Sequence, residues 1–319
     1  MVVWPICCGG LLFSNSTKTE VGKKKQLRSK RALKSRMINV KKAKKSISRE
    51  TGLEIASICG KYFLNLESLH YGYWTGELEV NIANLRTAQE EYTKFLISHI
   101  PAGVKTILDV GCGTGQIAKR LLDMGCDVDC VSPSGFLTEQ TRELLGDRTN
   151  IYQCRYEQLQ TEKRYDLILF AESFQYIGLE QGLKNTVRLL NNDSYMLICD
   201  VFKKGIKGNM GLGGGCKLNK FYDLIAKRPF RLVKDLDITK ETAPNIDILD
   251  DATKNVGRPV VHSALHLFSN RHPIAFKLLE WKYRKKLNKL NDKYFGADRT
   301  GENFKKFKSY RLFLYRKTT

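Results

Sequence analysis

Asp109, Gly111, Gly113 and Gly115 alternate along Thr106-Ile-Leu-Asp-Val-Gly-Cys-Gly-Thr-Gly115. An acid directly before three spaced glycines marks a place where the backbone bends sharply and approaches a ligand, with no Cβ in the way. A dinucleotide fingerprint would need its third glycine at position 116, which is Gln116. Few side chains nearby in the sequence could move a proton. Glu172 lies in Ala171-Glu-Ser-Phe-Gln-Tyr176, and the other candidates are His70, His262 and His266. His262 and His266 are four apart and could share a helix face, but no third metal ligand stands near them, so no metal is expected. Nine cysteines occur without a Cys-x-x-Cys pair, which reads as reduced, mostly buried thiols.

The elements that must position these residues follow from apolar spacing. Thr106 to Val110 is a short apolar run, read as a buried parallel strand. Ile117, Leu121 and Leu122 resume at helical spacing and end near Gly125. Further strands are expected at Asp127–Val131, Ile151–Cys154, Tyr165–Phe170 and Tyr195–Val201, with helices at Phe136–Leu145 and Leu179–Leu190. Such alternation implies a doubly wound parallel sheet with right-handed crossovers, and ligands at the carboxyl ends of its strands. Arg231–Ile238 and Tyr310–Arg316 read as two late strands. Roughly seventy residues separate them, too many for a loop. There Leu279, Tyr283, Leu287, Leu290 and Tyr294 form a helical stripe, with Lys282, Arg284, Lys285, Lys286, Lys289 and Lys293 opposite.

The net charge is +21. Between Lys18 and Arg49 fourteen Lys/Arg stand against one acid, Glu20, so most of the basic character belongs to one segment. Residues 1–13 are apolar and include Cys7-Cys8, with no positive region before them, which fits a signal peptide poorly. The basic segment suits a disordered tail, an electrostatic membrane tether or a nucleic-acid contact. Met37 is an alternative start. No apolar run is long enough to span a membrane. The expected location is cytoplasmic, with peripheral membrane contact left open.

From about Thr51 the composition is globular. Ile55, Ile58, Cys59 and Phe63 are spaced for a helix. Leu69-His-Tyr-Gly-Tyr-Trp74 is an aromatic cluster, and Leu85–Ile100 reads as a helix leading into the first strand. The segment Ile107-Leu-Asp-Val-Gly-Cys-Gly-Thr-Gly115 resembles motif I of the class I S-adenosylmethionine-dependent methyltransferases. With Tyr71, Gly72, Tyr73 and Trp74 ahead of it, the chain is similar to the small-molecule group, the tocopherol, ubiquinone and cyclopropane-synthase types. The resemblance implies an α/β fold with a doubly wound, seven-stranded, mostly parallel, Rossmann-like sheet, an N-terminal lid and an inserted helical cap. The implied organisation is a tail over 1–50 and a methyltransferase domain over 51–319. Within that domain, lid helices cover 51–100, the core 101–240, the cap 241–305 and the last strand 306–319.

The same resemblance implies the site. Asp109 would face the methionine end of S-adenosylmethionine, and Gly111, Gly113 and Gly115 would approach it by backbone. Ser132 stands where an acid normally holds the ribose. Cys154-Arg-Tyr-Glu157 occupies the adenine segment, so Tyr156 and Glu157 are carried over while Arg155 departs from the pattern. Tyr73 would close over the cofactor. Glu172 and His70 are the catalytic candidates, and Trp74, Gln175, Asp237 and Thr239 the substrate contacts. The Gly205–Gly215 loop lacks the Lys-Ser/Thr of a P-loop and reads as a gate or a plain connector. The leading expectation is methylation of a small, lipophilic organic acceptor. The alternatives are an RNA- or protein-modifying methyltransferase that uses the tail, and a binding module without turnover. No Asn/Asp-Pro-Pro-Tyr follows the fourth strand, which argues against modification of nucleic-acid bases. Oligomeric state is left open.

Overall fold

Alternate residues of each central strand feed two different cores. Ile107, Leu167, Leu169, Leu197, Leu312 and Leu314 fall in one cluster. Leu108, Ile168, Phe170, Met196, Ile198 and Phe313 fall in the other. This period of two puts one sheet between two apolar layers, because successive strand side chains point to opposite faces. The structure, a computed structural model, describes residues 50–208, 213–296 and 299–319. Glu54–Thr319 form one compact unit, and Met1–Leu53 are a separate one whose described residues, 50–53, are helical. The basic segment Lys18–Arg49, Cys7-Cys8 and Met37 lie outside the described residues.

The compact unit opens with helix α1 (54–64) and α2 (Leu85–Ser98). The alternation then runs β1 (Thr106–Val110), α3 (Gln116–Asp123), β2 (Asp127–Val131), α4 (Gly135–Leu145), β3 (Ile151–Tyr152), β4 (Tyr165–Ala171), α5 (Leu179–Leu189) and β5 (Leu190–Lys203). It continues with β6 (Cys216–Lys217), α6 (Leu218–Ile225), β7 (Phe230–Asp237), α7 (Thr239–Thr242) and α8 (Pro244–Ala252). Then come α9 (Arg258–Arg271), α10 (Pro273–Phe295), α11 (Gly301–Phe307) and β8 (Lys308–Lys317). The sheet order is β3-β2-β1-β4-β5-β8-β7, with the short β6 paired to β5. All pairs are parallel except β5–β8 and β7–β8. The sheet therefore has eight strands where seven were expected. The extra one, β6, pairs with β5 at Phe202 and Lys203, beyond the point where β4 ends.

β1 and β2 have their expected bounds. β3 is shorter than expected, because Cys154 donates back to the Tyr152 carbonyl and turns the chain away from the edge. β5 starts five residues earlier than the apolar run at Tyr195, and its Asn191-Asn-Asp193 stretch carries no apolar signal. The stretch between β7 and β8 is helical and divides in two. Ala243, Ile246 and Phe304 of the α7–α8 region and α11 belong to the core. Helix α9 has no buried residue.

Candidate active site

β1 and β4 lie side by side, with Asp109 opposite Leu169. Their carboxyl ends therefore bring the glycine loop after Val110 beside Glu172. The loop is held from below: Gly111 N–H donates to the Val131 carbonyl at 2.7 Å, and Ser173 Oγ donates to the Val110 carbonyl. The three glycines have different reasons. A Cβ on Gly111 would strike the Ser173 side chain, and one on Gly115 would press on Thr141. A Cβ on Gly113 would enter open space, and its φ is +61°. Two glycines thus serve protein packing, while Gly113 is the one that borders empty room in a backbone shape side chains resist.

Asp109 is 1% exposed, and its Oδ2 has no hydrogen-bond partner. Burial pushes its carboxyl up to about 7. A buried oxygen with no internal partner is costly unless something supplies one. The cationic ammonium and sulfonium of S-adenosylmethionine have the chemistry to do so, and the open side of Gly113 leaves backbone approach free. The residues present fit that cofactor.

Ser132 follows β2 and is buried. Its Oγ accepts from Ser134 N–H at 3.3 Å, and Ser134 caps α4 by accepting from Leu137. Tyr156 is a core residue, with its hydroxyl 2.9 Å from Thr186 Oγ1 and its carbonyl accepting from the Asn185 side chain at 2.6 Å and from Leu159 N–H, so only its backbone N–H is left for a ligand. Glu157 accepts from Gly178 N–H at 2.7 Å.

Glu172 has φ +55°, a left-handed shape uncommon for a side chain of this size. Its Oε1 accepts from Tyr71 N–H and from the Tyr310 hydroxyl, both at 2.7 Å. Burial raises its carboxyl to about 8, those two hydrogen bonds pull the other way, and Asp200 adds to the rise. Asp200 is itself lifted to about 7 by burial. The Tyr310 hydroxyl also lies 3.1 Å from that of Tyr92. Arg299, 6% exposed with Nε unpartnered, acts on the Tyr71 phenol by its charge. Sequence reading missed Tyr310, Arg299 and Asp200. No local motif marks them, because each reaches the site from a distant part of the chain.

His70 is half-buried and held by its neighbours. Tyr71 O can only accept, so Nδ1 carries the proton and donates to it at 2.9 Å. Nε2 is 3.4 Å from Thr93 Oγ1, and the ring stacks on Tyr92 at 4.5 Å. Burial lowers its pKa to about 4, so it is neutral near pH 7.

The aromatic segment is tied down along its backbone. Asn245 takes both polar groups of Gly72, each at 2.7 Å. Tyr73 N–H donates to Ala88 O, and Trp74 N–H to Glu241 O. Tyr73 stacks on Phe95 at 4.7 Å. Trp74 is 5% exposed, and its Nε1 has no partner, as is true of Glu241 Oε2.

Three expected substrate contacts are engaged within the protein. Gln175 Oε1 accepts from Gly215 N–H at 2.9 Å, and its own N–H donates to Asp200. Asp237 pairs with Arg311 at 3.1 Å and accepts from Ser309. Thr239 Oγ1 donates to Asp237 and accepts from Tyr310 N–H. Asp237 and Thr239 staple the end of β7 to β8. The Gly205–Gly215 loop is described except at 209–212, and Lys308 Nζ donates to Gly213 O and Gly214 O. His262 and His266 lie exposed on α9, and no group of three metal-ligating side chains occurs among the described residues.

Residues 107–193 match a family model described as a methyltransferase domain. The ubiquinone biosynthesis O-methyltransferase of Rickettsia akari is 26% identical over 157 residues, covering 46% of this chain and 62% of that protein. The chain thus spans under two thirds of this relative's length. Malonyl-[acyl-carrier protein] O-methyltransferase 1 of Ilyobacter polytropus is 27% identical over 204 residues, covering 58% of this chain and 74% of its own. Among solved structures, geranyl diphosphate C-methyltransferase from Streptomyces coelicolor, in complex with Mg2+, geranyl diphosphate and S-adenosyl-L-homocysteine, superposes with a TM-score of 0.56. It is 16% identical and covers 81% of this chain and 92% of its own, a likeness of fold.

Proposed function

We propose, from the premise that this chain carries a class I S-adenosylmethionine-dependent methyltransferase domain, that it methylates a small, lipophilic organic acceptor and leaves S-adenosylhomocysteine. One observation carries the reading. Two carboxylates in different settings stand at the carboxyl ends of adjacent strands: Asp109 with an unpartnered buried oxygen, and Glu172 held by Tyr71 and Tyr310.

Asp109, the open face of Gly113, Ser132, the Tyr156 backbone N–H and Glu157 are assigned to the cofactor, with Tyr73 closing over it. When bound, the cofactor supplies a methyl group on an already activated sulfonium. What remains for the protein is alignment, exclusion of water and care of the acceptor's proton. Glu172 Oε1 is fixed by two donors, which leaves Oε2 to take a proton from an O–H or N–H acceptor. Its pKa of about 8 makes it a stronger base than an exposed carboxylate. Trp74, Tyr71 and Arg299 are assigned to the acceptor. The half-buried setting of Glu172, held by the Tyr71 backbone and the Tyr310 hydroxyl, suits a small molecule better than a folded macromolecule.

Gly113→Val tests the placement. A branched side chain would fill the open side of the loop and resist φ +61°. Isothermal titration with S-adenosylmethionine should show no binding, with the circular dichroism spectrum unchanged. Undiminished affinity in a folded variant would remove the cofactor from this loop.

A further inference from the structure

Helices α9 and α10 leave a large apolar surface uncovered. They fold back on one another at His272: Phe268 and Phe276 have ring centroids 6.3 Å apart near the turn, and Arg258 lies 6.0 Å from the Phe295 ring at the other end. Ile274, Leu278 and Trp281 are 77%, 61% and 78% exposed. At positions i, i+4 and i+7 they form one stripe, about 10 Å long, starting at the turn. On α9, Leu265 and Leu267 are also exposed. Lys285 and Lys289 continue the stripe behind Trp281, with Lys282, Arg284 and Lys286 around them. Residues 258–295 hold nine Lys/Arg against Glu280 and Asp292. The arm thus presents apolar side chains near its turn and a collar of cations behind them.

We propose that the α9–α10 arm docks on an anionic lipid surface, with Ile274, Leu278 and Trp281 entering the interfacial zone and the lysine collar meeting the headgroups. The zone reached by interfacial helices is about 5–10 Å deep, which matches the length of the stripe. Tryptophan favours that zone, and clustered lysines are drawn to anionic lipid. Lys277 and Arg271 near the turn reach back to headgroups along their alkyl stems. Charge selects this occupant over the others. A second copy would set one cationic arm against another, and the chain's own Lys18–Arg49 segment has the same sign. A nucleic acid would match the charge but leave the Ile-Leu-Trp stripe in water. Among the described residues no helix is long and apolar enough to cross a membrane, so the contact is peripheral. The inference does not depend on the methyl-transfer reading.

The test uses the full chain with Trp4→Phe, which leaves Trp74, 5% exposed, and Trp281 as its tryptophans. Vesicles of phosphatidylcholine and phosphatidylserine are doped with brominated phosphatidylcholine, which quenches only indoles within the bilayer. Trp281 fluorescence should be quenched, and quenching should vanish in the Trp4→Phe/Trp281→Phe control and with pure phosphatidylcholine. K285E/K286E/K289E should weaken vesicle partition on the order of a hundredfold. I274S/L278S/W281S should weaken it while leaving the melting temperature unchanged, because these side chains support no packing. Vesicle binding with Trp281 unquenched would assign it to the amino-terminal basic segment and overturn the proposal. So would concentration-dependent self-association that shields Trp281, or a Trp281 response to duplex RNA in the absence of any to vesicles.

Discussion

Glu172 owes its chemistry to its neighbours. Glu172→Gln keeps an oxygen for Tyr71 N–H and Tyr310 OH but cannot take a proton. Turnover should fall about 10²–10⁴-fold, and the rise of rate with pH through about 8 should disappear. The same variant has a stability signature. The folded pKa lies above the unfolded one, so between about 4.5 and 8 the unfolded chain binds fewer protons, and stability falls as pH rises. Glu172→Gln should flatten that fall by about 1.4 kcal/mol per pH unit, read from cofactor-free denaturant unfolding at several pH values. Asp109 gives a second test. Below about 7 it holds a proton that a cationic ligand would displace. Cofactor binding measured calorimetrically in buffers of different ionisation heat should release a proton below that pH and tighten as pH rises. Asp109→Asn should abolish both effects.

At the scale of elements, the 70–74 segment, expected from its aromatics to act as a lid, is fastened by backbone to α2, α7 and α8. Tyr73 is its more accessible ring, while Trp74 is buried. Tyr73→Ala should lower cofactor affinity roughly ten- to a hundredfold with a small change in melting temperature. The reverse pattern, a large loss of stability with affinity intact, would make the ring a packing residue. Asn245→Ala should do what Tyr73→Ala does not. It leaves both polar groups of buried Gly72 without partners, at about 1–3 kcal/mol each, so thermal unfolding should come markedly earlier.

At the scale of the molecule, the compact unit starts at Glu54, close to the composition break near Thr51. A chain starting at Met37 should keep its circular dichroism spectrum and bind S-adenosylmethionine as the full chain does. Loss of either would show that the first residues contribute to the core. The insertion between β7 and β8 has two parts that one helical periodicity concealed. Helices α7, α8 and α11 close over the sheet edge, while α9 and α10 turn an apolar stripe outward.

Local pattern alone determined the strand–glycine–helix unit and the bounds of β1 and β2, because short apolar runs and glycine turns are decided by neighbours within a few residues. The order of elements followed, and with it the placing of Asp109 and Glu172 at one edge. What only the tertiary structure decided was which polar groups are already satisfied. Glu172 meets Tyr310 across 138 positions, and Gly72 meets Asn245 across 173. No periodicity records such pairs. Such pairs also engage Gln175, Asp237 and Thr239, expected as substrate contacts, inside the fold: Gln175 with Gly215, Asp237 with Ser309, and Thr239 with Tyr310. Asp109 Oδ2 stayed unpaired for the complementary reason: β1 and its neighbours bury it without reaching it.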